Sequence, residues 1–88
     1  MRRFEFTFDN GTKLHIQPPS LRAYYKEFRN AKTDPELFRA IAGICSNNDE
    51  NIKFTEEKVI DTFSTDDFHR FMETFPKWIN EERESDPN

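Results

Sequence analysis

Phe4, Phe6 and Phe8 alternate with Glu5 and Thr7, and nothing else in the chain limits its fold as tightly. Apolar side chains at every second position mark a strand with one buried face. Leu14 and Ile16 alternate with Lys13 and His15 in the same way, and Asp9-Asn10-Gly11 stands between the two arms. The arms therefore form a β-hairpin. A two-residue Asn10-Gly11 turn would set Phe8 opposite Lys13 and Phe6 opposite His15, leaving both faces mixed. A three-residue loop sets Phe8 against Thr12, Phe6 against Leu14 and Phe4 against Ile16, so that one face is continuously apolar. That loop is a type I turn followed by a bulge, and it needs a left-handed residue in third place. Gly11 supplies it. A slip of one residue would turn the apolar side chains of one arm to solvent, so the three-residue loop is the expected one.

Pro18-Pro19 ends the hairpin, because proline cannot donate to a ladder. Ser20 is then placed to cap a helix, with Leu21, Tyr24, Tyr25 and Phe28 spaced along one face. Asn30 to Lys32 break that pattern. Thr33-Asp34-Pro35-Glu36 opens a second helix, with Thr33 or Asp34 as cap and Glu36 in capping-box position relative to Thr33. Leu37, Phe38, Ile41, Ile44 and Cys45 give it an apolar face. Ser46 to Asn51 reads as a polar loop. Thr55-Glu56-Glu57 opens a short third helix carrying Val59, Ile60 and Phe63. Ser64-Thr65-Asp66-Asp67 opens a fourth, with Phe68, Phe71, Met72, Phe75, Trp78 and Ile79 on one face. Pro76 should kink that helix or force a restart near Phe75. The expected fold is α+β: an N-terminal hairpin and about four short helices in one domain over residues 1–80, with 81–88 as a frayed polar tail.

The chain has 88 residues, enough for one domain. Apolar and charged residues each make up 34%, which leans polar, but ten Phe, two Tyr and one Trp offset this. Each aromatic side chain buries roughly 150–250 Å², so a few of them build a core that residue counting undervalues. A net charge of −4 is the wrong sign for meeting phosphates, so nucleic acid is not an expected partner. Cys45 is the sole cysteine and can form no intrachain disulfide, which favours a reducing, cytoplasmic setting. Arg2-Arg3 leads into an alternating segment and not an apolar run, so no signal peptide is expected. No stretch approaches the roughly 18 apolar residues of a membrane span, and no membrane partner is expected.

Ser64, Asp67 and His69 lie close together and invite comparison with a catalytic triad. Triads are defined by geometry and not by clustering, and each residue has a plainer role here: Ser64 caps, Asp67 favours a helix N-terminus, and His69 edges toward solvent. His15 faces away from the apolar side of the hairpin. His15, Cys45 and His69 fit no zinc spacing. Asn47 to Asn51 resembles the start of a calcium loop, but Ile52 stands where glycine is required and Lys58 where a bidentate glutamate is required. Gly11 and Gly43 are the two glycines, too few for a phosphate-cradling loop. No catalytic residue, metal or cofactor is therefore expected. Arg22, Lys26, Arg29 and Lys32 line one outer helix face, which is either simply solvated or steers an acidic partner. Most of the aromatic excess belongs to the core. Some of it could line a partner surface, since such side chains are enriched at protein contacts. Tyr24, Tyr25, Phe71, Phe75 and Trp78 are the candidates, because adjacent tyrosines cannot both enter one core stripe and Trp78 lies beyond Pro76.

A phenylalanine-rich strand pair leads into Pro18-Pro19-Ser20-Leu21 and a helical middle with the polar loop Cys45-Ser46-Asn47-Asn48. Phe54 to Asp61 follows, and a last segment from Phe68 to Trp78-Ile79 ends in charged residues. In this order and spacing, over most of its length, the chain resembles the small tail assembly chaperones of long-tailed bacteriophages and prophages. No short motif in it is diagnostic. The resemblance implies a non-enzymatic protein that binds the tape-measure protein, or a tail tube protein, in the bacterial cytoplasm. It would cover apolar helical segments with an apolar groove and release them as tube subunits polymerise. A structural tail or head-completion protein and a small host regulatory module are the alternative readings.

Overall fold

The computed structural model describes residues 2–85, with side chains through residue 81. β1 (Phe4–Thr7) and β2 (Lys13–Ile16) pair antiparallel, with Phe4 opposite Ile16 and Phe6 opposite Leu14. The Phe8 amide donates to the Thr12 carbonyl at 2.8 Å and the Gly11 amide to the Phe8 carbonyl at 2.9 Å. Gly11 sits at φ +91°, the left-handed conformation that the bulged loop requires. The register is the expected one, and Phe4, Phe6, Phe8, Leu14 and Ile16 are all buried.

The segment after the second helix is not the plain polar loop expected from its composition. It lies along the outer edge of β2. The Gln17 amide donates to the Asn47 carbonyl at 2.8 Å, the Asp49 amide donates to the His15 carbonyl at 3.0 Å, and Ile16 bridges Asn48. Asn48 is buried, and its side chain organises the turn. Its Nδ2 donates to the Cys45 and Ile52 carbonyls at 2.7 Å each, and its Oδ1 accepts from the Ile52 amide at 3.0 Å. Every polar atom of that amide side chain thus has a partner, as burial demands.

Ser20 caps the next element, its hydroxyl accepting from the Ala23 amide at 3.1 Å. Residues Arg22–Phe28 form a π-helix and not an α-helix. The Arg29 amide reaches back five residues to the Tyr24 carbonyl at 2.9 Å. Tyr24 and Phe28 lie on the core, whereas Leu21, in the first turn, which the Tyr24 amide closes on the Ser20 carbonyl at 3.1 Å, is 77% exposed. The shared face expected for Leu21, Tyr24, Tyr25 and Phe28 therefore loses its first member.

Helix α1 (Asp34–Cys45) starts as its sequence indicates, with the Thr33 hydroxyl accepting from the Glu36 amide at 3.3 Å. The Glu36 carboxylate reaches back to the Lys32 amide at 2.9 Å, one residue before the cap itself. Helix α2 (Glu56–Thr62) is capped by Thr55 and buries Val59. Helix α3 (Thr65–Ser85) runs through Pro76 without a restart. Proline removes the N–H that would meet the Met72 carbonyl. Phe71 and Phe75 before it and Trp78 and Ile79 after it nevertheless pack on one cluster. The helix also enters the stretch expected as a frayed tail, and 86–88 lie outside the described residues.

The core is a set of interlocked rings. Phe71 stacks on Phe75 with centroids 5.0 Å apart, and Phe4 meets Phe75 edge-on at 5.2 Å. Phe6 and Phe8 meet edge-on at 5.0 Å, and Phe28 meets Phe75 at 5.8 Å. Offset-stacked and edge-to-face contacts of this kind are the favoured arrangements of aromatic quadrupoles.

Candidate protein-binding groove

The residues expected to form a partner surface divide in two. Phe71 and Phe75 are fully buried, and Tyr24 is 5% exposed. These three are core and offer no surface, because strand β1 and the π-helix close over the face of α3 that carries the phenylalanines. Tyr25 and Trp78 are only partly buried. The Arg29 guanidinium lies over the Tyr25 ring at 5.6 Å, and Trp78 packs on Phe4 at 5.5 Å.

Ser64, Asp67 and His69 do not assemble as a nucleophile and base. The Ser64 hydroxyl donates to the Asp9 carboxylate at 2.7 Å and accepts from the Asp67 amide at 2.9 Å. The buried Asp67 carboxylate accepts from the Ser64 amide at 3.1 Å, the Asp9 amide at 2.9 Å and Arg70 at 3.0 Å. The cluster ties the hairpin loop to the start of α3. Hydrogen bonds from Ser64 and then Arg70 hold the Asp9 carboxyl below its ordinary pKa.

The acids of the would-be calcium loop are turned to neighbouring side chains. Arg3 Nε donates to both Asp49 oxygens at 3.0 and 3.2 Å, and Gln17 donates to one of them at 3.3 Å. The Glu50 carboxylate accepts from the His15 amide at 2.9 Å and also meets the His15 ring. Among the described residues no group of three or more His, Cys, Asp and Glu could hold a metal ion. Burial pushes the Cys45 thiol up to about 12, so the reactive thiolate is suppressed. No helix among the described residues is long and apolar enough to cross a membrane.

An apolar opening lies where α1, α2 and α3 meet. The chain reverses direction at Phe63, which leaves α2 in extended conformation at φ −79° and ψ 128°. The faces of the two helices on either side of this corner are not filled by another element. They enclose a cavity of about 200 Å³ lined by Phe38, Val59, Ile60, Phe63, Phe68 and His69. Ile60 is 47% exposed there. Exposed Glu57 and Asp61 flank Ile60 on α2, and exposed Asp66 stands three residues before His69 on α3. A hollow of about 520 Å³ between the π-helix and α1 is larger, but Lys26, Lys32 and Arg39 face Glu27 and Glu36 in it. Charged side chains of both signs line it, with Ala31 and Ala40 the apolar part of its wall.

Sequence reasoning assigned Phe38, Ile60 and Phe68 to helix faces without bringing them together. One signal was present: Val59 and Ile60 are adjacent on a seven-residue helix. Neighbours in an α-helix point about 100° apart, so on a short helix covered from one side the second is readily left toward solvent. Comparison with known families, characterised proteins and solved structures finds no match. The groove can receive apolar side chains and has a negatively charged margin.

Proposed function

We propose that this chain is a non-enzymatic protein-binding domain whose groove between α2 and α3 receives apolar side chains of a partner protein. The observation that carries the reading is Ile60, a large apolar side chain left half-exposed within an apolar lining. An apolar hollow bordered by an exposed large side chain can seat an apolar side chain of a partner. Helical partners seat side chains three and four residues apart in such grooves. In the tail assembly setting, the partner is the tape-measure protein, a long chain whose unassembled helical segments expose apolar stripes. The domain covers a stripe and yields it when tube subunits compete for the same surface. Association and exchange are sufficient, and no covalent step is involved.

Co-expression with a tape-measure protein of a long-tailed phage tests the reading. The wild type co-purifies with it and keeps it in solution. Ile60→Glu loses it while its far-UV circular dichroism stays native. Failure of the wild type to co-purify, or full retention by the variant, counts against the groove.

A further inference from the structure

From the complementarity of two surfaces on this one chain, we infer that it associates with itself head to tail, Leu21 of one copy entering the α2–α3 groove of the next. Leu21 and Ile60 are the two large hydrophobic side chains that the fold leaves exposed among the described residues, at 77% and 47%. Their surroundings carry opposite charge. Arg22 follows Leu21, and Lys26 stands one π-helical turn on, with Glu27 next to it; all three are exposed. The helices that line the groove carry exposed acids: Glu57 and Asp61 near Ile60 on α2, and Asp66 near Phe68 on α3. None of Arg22, Lys26, Glu57, Asp61 or Asp66 forms an ion pair with another described residue. The nearby Glu56 is already tied to Arg39 at 3.2 Å, and Lys58 lies over Phe54 at 5.5 Å.

An apolar knob in a basic setting and an apolar hollow in an acidic setting make a self-complementary pair. A cavity of about 200 Å³ admits a leucine side chain. Leu21 stands just before the π-helical residues, with its side chain off the core. In this head-to-tail arrangement the contact is heterologous, unlike a reciprocal two-fold dimer in which both knobs would be buried: each copy that gives a knob keeps an open groove. Such a contact propagates into a ring or an open array. Attraction between exposed charges makes it weaken as salt rises.

The inference goes beyond the binding of a second protein, and its test uses the chain alone, so either reading can fail without the other. Sedimentation velocity of the full chain over a concentration series, at low and high salt, supplies the readout. The wild type is expected to exceed the mass of a dimer as concentration rises at low salt, and to shift toward monomer at high salt. Leu21→Asp spoils the knob and Ile60→Lys spoils the groove; each variant alone stays monomeric. Mixed in equal amounts they form a dimer and nothing larger, because one intact knob and one intact groove remain. Both positions are exposed, and circular dichroism checks the fold. Should Ile60→Lys unfold, the double change Glu57→Lys and Asp61→Lys takes its place. A wild type that stays monomeric throughout overturns the inference. So do variants that associate like the wild type, and so does a mixture that fails to dimerise or grows past a dimer.

Discussion

Asp67 has two sequence-local duties and one that spans the chain. It completes the cap of α3 with Ser64, and it binds the backbone amide of Asp9 across 58 positions. Arg70, whose guanidinium also bonds Asp9 and the Thr7 carbonyl, closes the cluster. Replacing Asp67 by Ala leaves two partly buried amides, of Asp9 and Ser64, without their acceptor and Arg70 with one fewer. Arg70 and Asp9 are largely exposed, so the loss is that of the unsatisfied amides, roughly 1–3 kcal/mol. Equilibrium urea unfolding should show that loss with circular dichroism unchanged before the transition; a loss within the error of the wild type would deny the cluster its role. His15 and Glu50 make a second cross-link at this scale. The Glu50 carboxylate raises the His15 pKa from 6.5. Hydrogen bonds from the His15 amide and ring lower that of Glu50 from 4.5. The histidine's contribution is complete below 6.5 and is lost as pH rises through its raised value. The glutamate's is complete above 4.5 and is lost as pH falls through its lowered value. The tie between β2 and the segment after α1 is therefore strongest between 4.5 and 6.5. An NMR titration of the His15 ring should give a pKa above 6.5 that falls in Glu50→Gln; a value at or below 6.5 in the wild type would show that the contact does not form.

At the scale of elements, the edge of β2 shows what a local reading can and cannot reach. Asn48→Asp keeps the side chain's shape but turns a carboxylate oxygen toward the Cys45 and Ile52 carbonyls, where an NH2 now donates to both. An unpaired charge beside two acceptors costs more than the roughly 1–3 kcal/mol of a plain unsatisfied group. Asn48→Asp should therefore melt below Asn48→Ala in parallel thermal scans at neutral pH, and the reverse order would mean that the amide is not buried in this network. The hairpin was legible in full, because alternation, a glycine at the bulge and the facing of five apolar side chains all demand one register. The cap of α1 was legible because Thr33, Pro35 and Glu36 act within one turn. The π-helix was not, since a spacing of four between Tyr24 and Phe28 serves either helix, and what separates them is the backbone reach of the Arg29 amide to the Tyr24 carbonyl. Asn48 gave no sign of burial, since asparagine in a polar run ordinarily marks a turn. Asp67 read as a helix-start acid; its bond to Asp9 depends on how the hairpin meets α3, which no local pattern encodes. The same holds for the groove. An excess of aromatics pointed to a contact surface, but Phe71 and Phe75 go inside, and the surface lies instead around Ile60 and Phe68.

Over the whole molecule, the ring cluster joins the first strand to the last helix. Phe75 meets Phe4, Tyr24, Phe28 and Phe71, whereas Trp78 sits at the rim of the same cluster on Phe4 and Phe75. Phe75→Ala empties a closed site and should cost roughly 3–5 kcal/mol. Trp78→Ala, at a half-open site, should fall below that range, and unfolding curves for the two variants measured together decide the order. An equal or larger loss for Trp78 would place its ring at the centre of the packing. The position of that indole has a practical consequence. Trp78 is the sole tryptophan of the chain, and it rests on a phenylalanine 74 positions earlier. Its emission thus reports the meeting of the two ends of the polypeptide, without any added dye. In a stopped-flow refolding trace, the change in tryptophan signal marks when strand β1 and α3 come together. A far-UV trace marks when the helices form. A lag of the first behind the second would time the closing of the molecule.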